Sequence, residues 1–206
     1  MTDFGFYLVM TNPKVGYAAC AQAAVDGGVR IIQLRMKDAP RDEIVSVGRT
    51  VRDITRGTET LFIVNDDPSI AAEVGADGVH VGQGDMPVPE VRRLYPSLRI
   101  VGLSTHSPEQ ALASLDVKPD YIGVGPVWAT PTKKIPDPVL GSETAMRMVR
   151  SVPYPAVAIG GIDASRLPGL LQAGARNYAV VREVCGADDP LAAIRNLKRI
   201  YDANVR

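Results

Sequence analysis

Residues 6–35 read FYLVMTNPKVGYAACAQAAVDGGVRIIQLR and contain a strand, a helix and a second strand in succession. The run at 6–10 is short and apolar throughout, which is typical of a strand buried on both faces. Residues 17–25 have the composition and period of a helix, and two glycines follow them as a stop signal. A second apolar run at 30–35 completes the unit. This order predicts two parallel strands joined by a helical crossover.

The same alternation of short apolar runs and helical segments continues to the end of the chain. Helix starts are marked by a capping side chain before proline, as in Ser107-Pro108 and Asp189-Pro190. Eight such units predict an α/β protein whose strands close into a (β/α)8 TIM barrel. The predicted strands span residues 6–10, 30–35, 61–65, 78–81, 99–104, 121–125, 156–160 and 178–181.

An open, doubly wound parallel sheet is the alternative architecture for this pattern. It is disfavoured because no G-x-G-x-x-G motif follows the first strand and nothing indicates a reversed sheet order. The chain has 206 residues. With about 26 residues per unit, it is short for a barrel and leaves no room for a separate lid domain. We therefore expect residues 1–206 to form a single TIM-barrel catalytic domain.

Composition and charge limit the classes of partner. The chain has 23 basic and 23 acidic residues, so it lacks the net positive charge expected of a nucleic-acid-binding protein. Its N-terminus has no signal-peptide pattern, and no apolar run approaches the roughly 20 residues that a membrane span needs. The two cysteines have no metal-ligand spacing. We expect a cytoplasmic protein without nucleic-acid or membrane partners, and the sequence leaves open whether its copies form a homo-oligomer.

Polar residues at the ends of the predicted strands indicate the site, because barrel enzymes carry their chemistry at the carboxyl ends of the strands. Gln33 and Arg35 lie two residues apart at the end of the second strand, so they share one face. Such a polar pair is costly in an apolar core, which favours contact with a ligand. The alternative is an arginine paired with a carboxylate at the barrel rim.

Carboxylates follow the third and fourth strands, which are neighbours in the predicted barrel. Asp66 and Asp67 end the third strand, and Asp85 follows the fourth. Carboxylates on adjacent strand ends are typical of a Mg²⁺ site that phosphate oxygens and water complete. In the alternative reading, Asp67 is a helix cap before Pro68 and Asp66 is a turn residue.

The segment after the sixth strand has the composition of a phosphate-binding loop. Residues 125–134 read GPVWATPTKK, in which Thr130 and Thr132 flank a rigid proline and Lys133 follows. Two hydroxyls and a point-charge donor suit a cluster of phosphate oxygens. The alternative is a loop whose polar groups are simply solvated.

The loops after the seventh and eighth strands predict a second anion pocket. The seventh strand runs into Gly160 and Gly161, and the eighth ends at Val181 and Arg182. Small residues leave backbone N–H groups open to an anion, and barrels often bind phosphate at these two loops. The sequence thus predicts a site for small phosphorylated molecules with two anionic groups.

Histidine and serine do not form a convincing nucleophilic pair in this sequence. Ser104 and His106 lie two apart on the fifth strand end, but no third partner is indicated. We interpret His106 as part of a helix start and Ser104 as a hydrogen-bond donor to a ligand. His80, inside the fourth strand, is interpreted as a core residue with satisfied hydrogen bonds.

The chain resembles the thiamine phosphate synthase family over essentially its full length. The matching stretches are QLRMK at 33–37, VND at 64–66, ADGVHVGQGD at 76–85, GLSTHS at 102–107, YIGVGPVWATPTK at 121–133 and AIGGI at 158–162. The resemblance implies an enzyme that joins hydroxymethylpyrimidine diphosphate to hydroxyethylthiazole phosphate, giving thiamine phosphate and diphosphate. It also implies Mg²⁺ as the cofactor, held by Asp66 and Asp85.

The resemblance further implies the roles of individual residues. Arg35, Ser104 and Lys133 would be catalytic. The residues implied in substrate binding are Gln33, Leu34, Arg35, Met36, Lys37, Asn65, Ser104, Thr130, Pro131, Thr132, Lys133, Gly160, Gly161, Val181 and Arg182.

Three positions depart from the family pattern. Met36 stands where glutamate is usual, Gly84 replaces another frequent glutamate, and Arg182 stands where serine is common. The family reaction is a metal-assisted departure of diphosphate followed by attack of the thiazole nitrogen, which requires no protein nucleophile. The alternatives are a thiazole tautomerase and a non-catalytic sensor of a phosphorylated ligand.

Overall fold

The computed structural model describes residues 3–132 and 137–205. Within them, eight parallel strands pair in chain order, and the last pairs with the first to close a barrel. The TIM-barrel prediction is confirmed. The strands are β1 Phe6–Met10, β2 Ile31–Leu34, β3 Leu61–Asn65, β4 Gly78–Val81, β5 Ile100–Thr105, β6 Tyr121–Val124, β7 Ala156–Ile159 and β8 Asn177–Val180.

Helices surround the barrel and connect the strands. The predicted capping residues act as expected, since Ser107 accepts a hydrogen bond from the Gln110 amide and Asp189 accepts one from the Ala192 amide. The helices are α1 Tyr17–Asp26, α2 Arg41–Thr55, α3 Pro68–Glu73, α4 Val88–Leu94, α5 Pro108–Val117, α6 Gly141–Arg150, α7 Leu167–Gln172, α8 Arg182–Cys185 and α9 Pro190–Asn204.

The strands separate two apolar regions. Alternate residues of each strand point outward and pack against the helices, as Leu8 and Met10 of β1 do. The inward-pointing residues form the second region inside the barrel, to which β1 contributes Tyr7 and Val9. Two tyrosines, Tyr7 and Tyr121, thus bring hydroxyl groups into the barrel interior.

Among the helices of the described residues, none is both long and apolar enough to cross a membrane. Cys20 and Cys185 are buried as free thiols.

Candidate active site

A cavity of about 940 Å³ opens at the carboxyl ends of the strands. Its position is that expected for the site of a barrel enzyme. Eleven of the residues predicted from the sequence line it, from six different strand ends. They are Gln33, Arg35, Asn65, Ser104, Thr130, Pro131, Thr132, Gly160, Gly161, Val181 and Arg182.

Of the predicted binding residues that the structure describes, Leu34, Met36 and Lys37 do not line the cavity. Leu34 is 1% exposed and packs in the core between barrel and helices, and Met36 packs partly against the same core. The physical reason is the two-residue alternation of a strand, which turns Gln33 inward and Leu34 outward. Lys133 lies outside the described residues.

A pair of carboxylates lies beside the cavity, at the ends of β3 and β4. The Asp66 and Asp85 side chains lie close enough for the charge of Asp66 to act on the Asp85 carboxyl. Burial and the nearby Asp66 charge raise the pKa of Asp85, while the Gly82 amide, 2.6 Å from Asp85 Oδ2, and the Lys37 charge lower it. The structure therefore brings together the two residues predicted as metal ligands.

Cations stand next to this carboxylate pair. Lys37 Nζ lies 2.6 Å from Asp66 Oδ2. Arg35 lines the cavity and interacts with the Asp66 charge, and burial lowers the pKa of its guanidinium. We name Arg35, Lys37, Asp66 and Asp85 the charged end of the site.

Asp67 takes the role of helix cap that the sequence also allowed. Its Oδ1 accepts hydrogen bonds from the Ser69 and Ile70 amides at 2.8 and 3.0 Å, which begins α3. Asp66 has a positive φ of 65°, and its amide donates to the His80 carbonyl at 2.8 Å. Asp67 therefore caps α3, while the Asp66 carboxylate interacts with Lys37 and Asp85 at the site.

Two loops pack into one unit at the opposite end of the cavity. The Val127 and Trp128 amides donate to the Ile159 and Gly160 carbonyls at 2.9 and 3.0 Å. Thr130 Oγ1 and Thr132 Oγ1 lie 3.0 Å apart. We name Thr130, Thr132, Gly160 and Gly161 the glycine end of the site.

Both glycines of the glycine end are required by their conformation and by close packing. Gly160 and Gly161 have φ values of 103° and 67°. A Cβ atom on Gly160 would lie 2.6 Å from Pro126 Cα, and one on Gly161 would lie 2.7 Å from Trp128 Cβ. Larger residues at either position would force the two loops apart.

Arg166 holds the glycine end from outside. Its Nη1 donates to the Gly161 carbonyl at 2.6 Å, and its guanidinium lies 5.6 Å from the centre of the Trp128 ring. Contacts with an aromatic face and a carbonyl fix the planar guanidinium in place. No motif around Arg166 in the sequence predicts this role.

The floor of the cavity is a series of hydrogen bonds across the barrel. Gln33 Nε2 donates to Tyr7 Oη at 2.7 Å, and the Tyr7 and Tyr121 hydroxyls lie 2.8 Å apart. His80 Nδ1 lies 3.0 Å from Tyr121 Oη, and His80 Nε2 lies 2.9 Å from Ser104 Oγ. These five residues all line the cavity.

The floor corrects the interpretation of His80 as a core residue. Its hydrogen bonds are satisfied as expected, but its ring is only partly buried and faces the cavity. Sequence reasoning also missed Tyr7 and Tyr121, because tyrosine inside an apolar strand is indistinguishable from ordinary core. The available signal was the alternation that places Tyr7 on the same side of the barrel wall as Gln33.

His106 is separate from this floor. Its Nδ1 lies 2.6 Å from the Gly125 carbonyl, and its amide donates to Gln110 Oε1 at 2.7 Å. These contacts confirm its place at the start of α5. Ser104 bonds to His80 instead, so a Ser104–His106 pair is not formed.

Known proteins resemble this chain over most of its length. The family model described as thiamine monophosphate synthase matches residues 6–184. The chain belongs to that family.

Individual relatives extend the match to nearly the whole chain. A thiamine-phosphate synthase of Anaeromyxobacter dehalogenans is 40% identical, covering 97% of this chain and 88% of the relative. One of Thermus thermophilus is 42% identical, covering 95% and 96%. A solved structure, thiamine phosphate pyrophosphorylase from Pyrococcus furiosus, superposes with a TM-score of 0.90 at 34% identity, covering 99% and 98%. The chain is accordingly an enzyme of the transferase class, like the synthases it matches.

Proposed function

We propose that the chain condenses hydroxymethylpyrimidine diphosphate with hydroxyethylthiazole phosphate to give thiamine phosphate and diphosphate. The observation that carries the proposal is the pairing of Asp66 with Asp85 beside Arg35 and Lys37, at one end of a cavity whose other end is built from glycines. Two substrates, each with an anionic group, match these two ends.

Mg²⁺ fits the charged end as the cofactor. Asp66 and Asp85 would supply hard oxygen ligands from two neighbouring strands. Burial raises the pKa of Asp85, and the nearby Asp66 charge raises it further. A divalent cation between two like charges removes their repulsion, and Mg²⁺ commonly uses one or two carboxylates together with substrate phosphate oxygens. When bound there, Mg²⁺ would supply positive charge to the diphosphate leaving group.

The protein's own cations would add to this positive charge near the leaving group. Arg35 and Lys37 stand at the same end, and Lys133 follows the Thr130–Thr132 segment in the sequence. A unit charge at about 4 Å contributes on the order of 4 kcal/mol near a protein surface, so these groups favour the departure of diphosphate. We assign Gln33 and Ser104, which belong to the floor, and Asn65, which also lines the cavity, to the pyrimidine diphosphate.

The glycine end is assigned to the thiazole phosphate. Thr130 and Thr132 offer hydroxyls, and Gly160 and Gly161, which carry no side chains of their own, line the cavity. Arg182 lines the same region of the cavity and adds a guanidinium where the family commonly has serine. Its charge compensates an anion at this end.

A product assay tests the proposal directly. Wild-type protein is incubated with both substrates and Mg²⁺, and thiamine phosphate and diphosphate are quantified, with each substrate omitted in turn as the control. We expect both products in equal amounts only in the complete mixture. A thiazole tautomerase would change the thiazole phosphate alone, and a sensor would bind without turnover; either result would refute the proposal.

A further inference from the structure

We propose that Tyr7, Tyr121 and His80 are positioning residues that make Ser104 a hydrogen-bond donor and Gln33 an acceptor toward the pyrimidine. The inference rests on the proposed function, because it concerns how that same site distinguishes an aminopyrimidine from similar rings. Tyr7, Tyr121 and His80 belong to the floor of the cavity and take no part in the reaction itself.

The direction of the hydrogen bonds follows from the first donor. An amide nitrogen donates and does not accept, so Gln33 Nε2 gives its proton to Tyr7 Oη at 2.7 Å. Tyr7 is 2% exposed, and a buried hydroxyl proton needs an acceptor. Among the contacts that the described residues make with it, Tyr121 Oη at 2.8 Å is the acceptor that remains.

The same reasoning gives the direction of the hydrogen bonds from Tyr121 to His80 and from His80 to Ser104. Tyr121 is fully buried, and its own proton goes to His80 Nδ1 at 3.0 Å. His80 therefore carries its proton on Nε2, which donates to Ser104 Oγ at 2.9 Å. Burial raises the pKa of both tyrosines, so each keeps the single proton that the series requires.

The two ends of the series then present opposite groups to the cavity. Ser104 accepts from His80, so its hydroxyl proton is available to a ligand acceptor such as a ring nitrogen. Gln33 uses its nitrogen on Tyr7, so its Oε1 is available to a ligand donor such as an exocyclic amino group. An aminopyrimidine offers both groups, whereas the oxo analogue, with a carbonyl in place of the amino group, reverses them.

Packing fixes the positions of the two aromatic rings and the His80 ring in this series. The His80 and Tyr121 rings stack with centroids 5.4 Å apart, and the Tyr7 and Tyr121 rings meet edge to face at 5.8 Å. A Cβ atom on Gly102 would lie 2.2 Å from Tyr121 Cζ and 2.5 Å from His80 Nδ1. Glycine at 102 thus provides the space in which the two rings meet.

The first test measures the His80 tautomer in the wild-type protein by ¹⁵N NMR. The chain has two histidines, and His106 is an internal reference because its Nδ1 donates to the Gly125 carbonyl. We expect the proton on Nε2 in His80 and on Nδ1 in His106. A proton on Nδ1 of His80 would overturn the inference. Because the measurement uses the wild-type protein, it does not depend on the stability of any variant.

The second test measures ligand discrimination in Tyr121→Phe, which removes the central hydroxyl and leaves Gln33 and Ser104 in place. Dissociation constants are measured by calorimetry for hydroxymethylpyrimidine diphosphate and for its oxo analogue, with Mg²⁺ present. We expect the wild type to prefer the amino form by at least about 100-fold and the variant to lose at least about tenfold of that preference.

Tyr178→Phe is the matched control. Tyr178 is as buried as Tyr121, but its hydroxyl donates to the Leu197 carbonyl at 3.4 Å outside the barrel. We expect it to keep the wild-type preference. An unchanged preference in Tyr121→Phe would overturn the inference. It would leave the proposed function intact as long as the wild type forms thiamine phosphate. Absence of that product would refute the proposed function, and the His80 tautomer would still decide the direction of the series.

Discussion

The charged end and the glycine end of the cavity differ in the groups that they offer to an anion. The charged end uses side chains, with Lys37 paired to Asp66 and Asp66 close to Asp85. The glycine end uses two hydroxyls and backbone fixed by tight loop packing. Strong fixed charges favour a group on which charge grows during reaction, whereas shaped backbone suits a group that is only held in place. Under the proposed function, this contrast assigns the diphosphate of the pyrimidine to the charged end and the phosphate of the thiazole to the glycine end.

The largest effect is expected from Asp85→Asn at the charged end. Removing one carboxylate ligand leaves the diphosphate poorly compensated, so kcat should fall by at least about 100-fold, which corresponds to roughly 2.7 kcal/mol. A coupled assay of diphosphate release measures it. Asp53→Asn makes the same chemical change in an exposed ion pair of α2 and should keep full activity. Wild-type kcat in Asp85→Asn would remove the contrast between the two ends.

Gly161→Ala is expected to have the next largest effect, and at the glycine end it should act on binding. The new methyl group meets Trp128 and the φ of 67° is unfavourable, so KM for the thiazole phosphate should rise by at least about tenfold. Initial-rate kinetics with each substrate varied separately measure this. Gly57→Ala has a similar φ of 76° with nothing within 4 Å of its Cβ, so it isolates backbone strain from collision. Equal kinetics in the two variants would show that loop packing does not shape the phosphate pocket.

Magnesium should stabilise the fold through the charged end alone. At 100 times the dissociation constant, a ligand adds about 2.7 kcal/mol, which is several degrees in Tm for a domain of this size. Thermal unfolding with and without Mg²⁺ should show that shift in the wild type and lose it in Asp85→Asn. An equal shift in both would place the cation elsewhere.

The pH dependence of that stabilisation has a definite sign. Asp85 has a pKa raised from 3.8, so the folded state holds its proton more tightly than the unfolded chain does. Its contribution to stability without metal is full below 3.8 and is lost as pH rises through the raised value. The Mg²⁺-dependent shift in Tm should therefore grow as pH rises through this interval, and a constant shift would contradict the assignment.

The smallest effect is expected from Arg166→Ala, which removes an exterior support of the glycine end. Loss of its bond to the Gly161 carbonyl should raise KM for the thiazole phosphate by about two- to fivefold and leave kcat unchanged, in line with about 0.5–1 kcal/mol for one exposed contact. Arg147→Ala, in an exposed part of α6, is the control. A fall in kcat alone would show that Arg166 acts on the reaction and not on loop position.

The strands were predictable because each is a short apolar run, and the observed ends lie within about one residue of those predicted. The residues at strand ends were also predictable, since a polar side chain after an apolar run has few structural uses. Tyr7, Tyr121 and His80 were not predicted to line the site, because their roles depend on hydrogen bonds between strands far apart in the sequence. Leu34 was misplaced because a motif carries no information about which way each side chain points.

The central claim is that Asp66 and Asp85 jointly hold the cation that accompanies the diphosphate. A crystal grown with Mn²⁺ in place of Mg²⁺ and with hydroxymethylpyrimidine diphosphate tests it through the anomalous signal of the metal. We predict one strong peak at bonding distance from a carboxylate oxygen of each aspartate and from the diphosphate. Substrate bound in the cavity with no metal peak between the two aspartates would contradict the account.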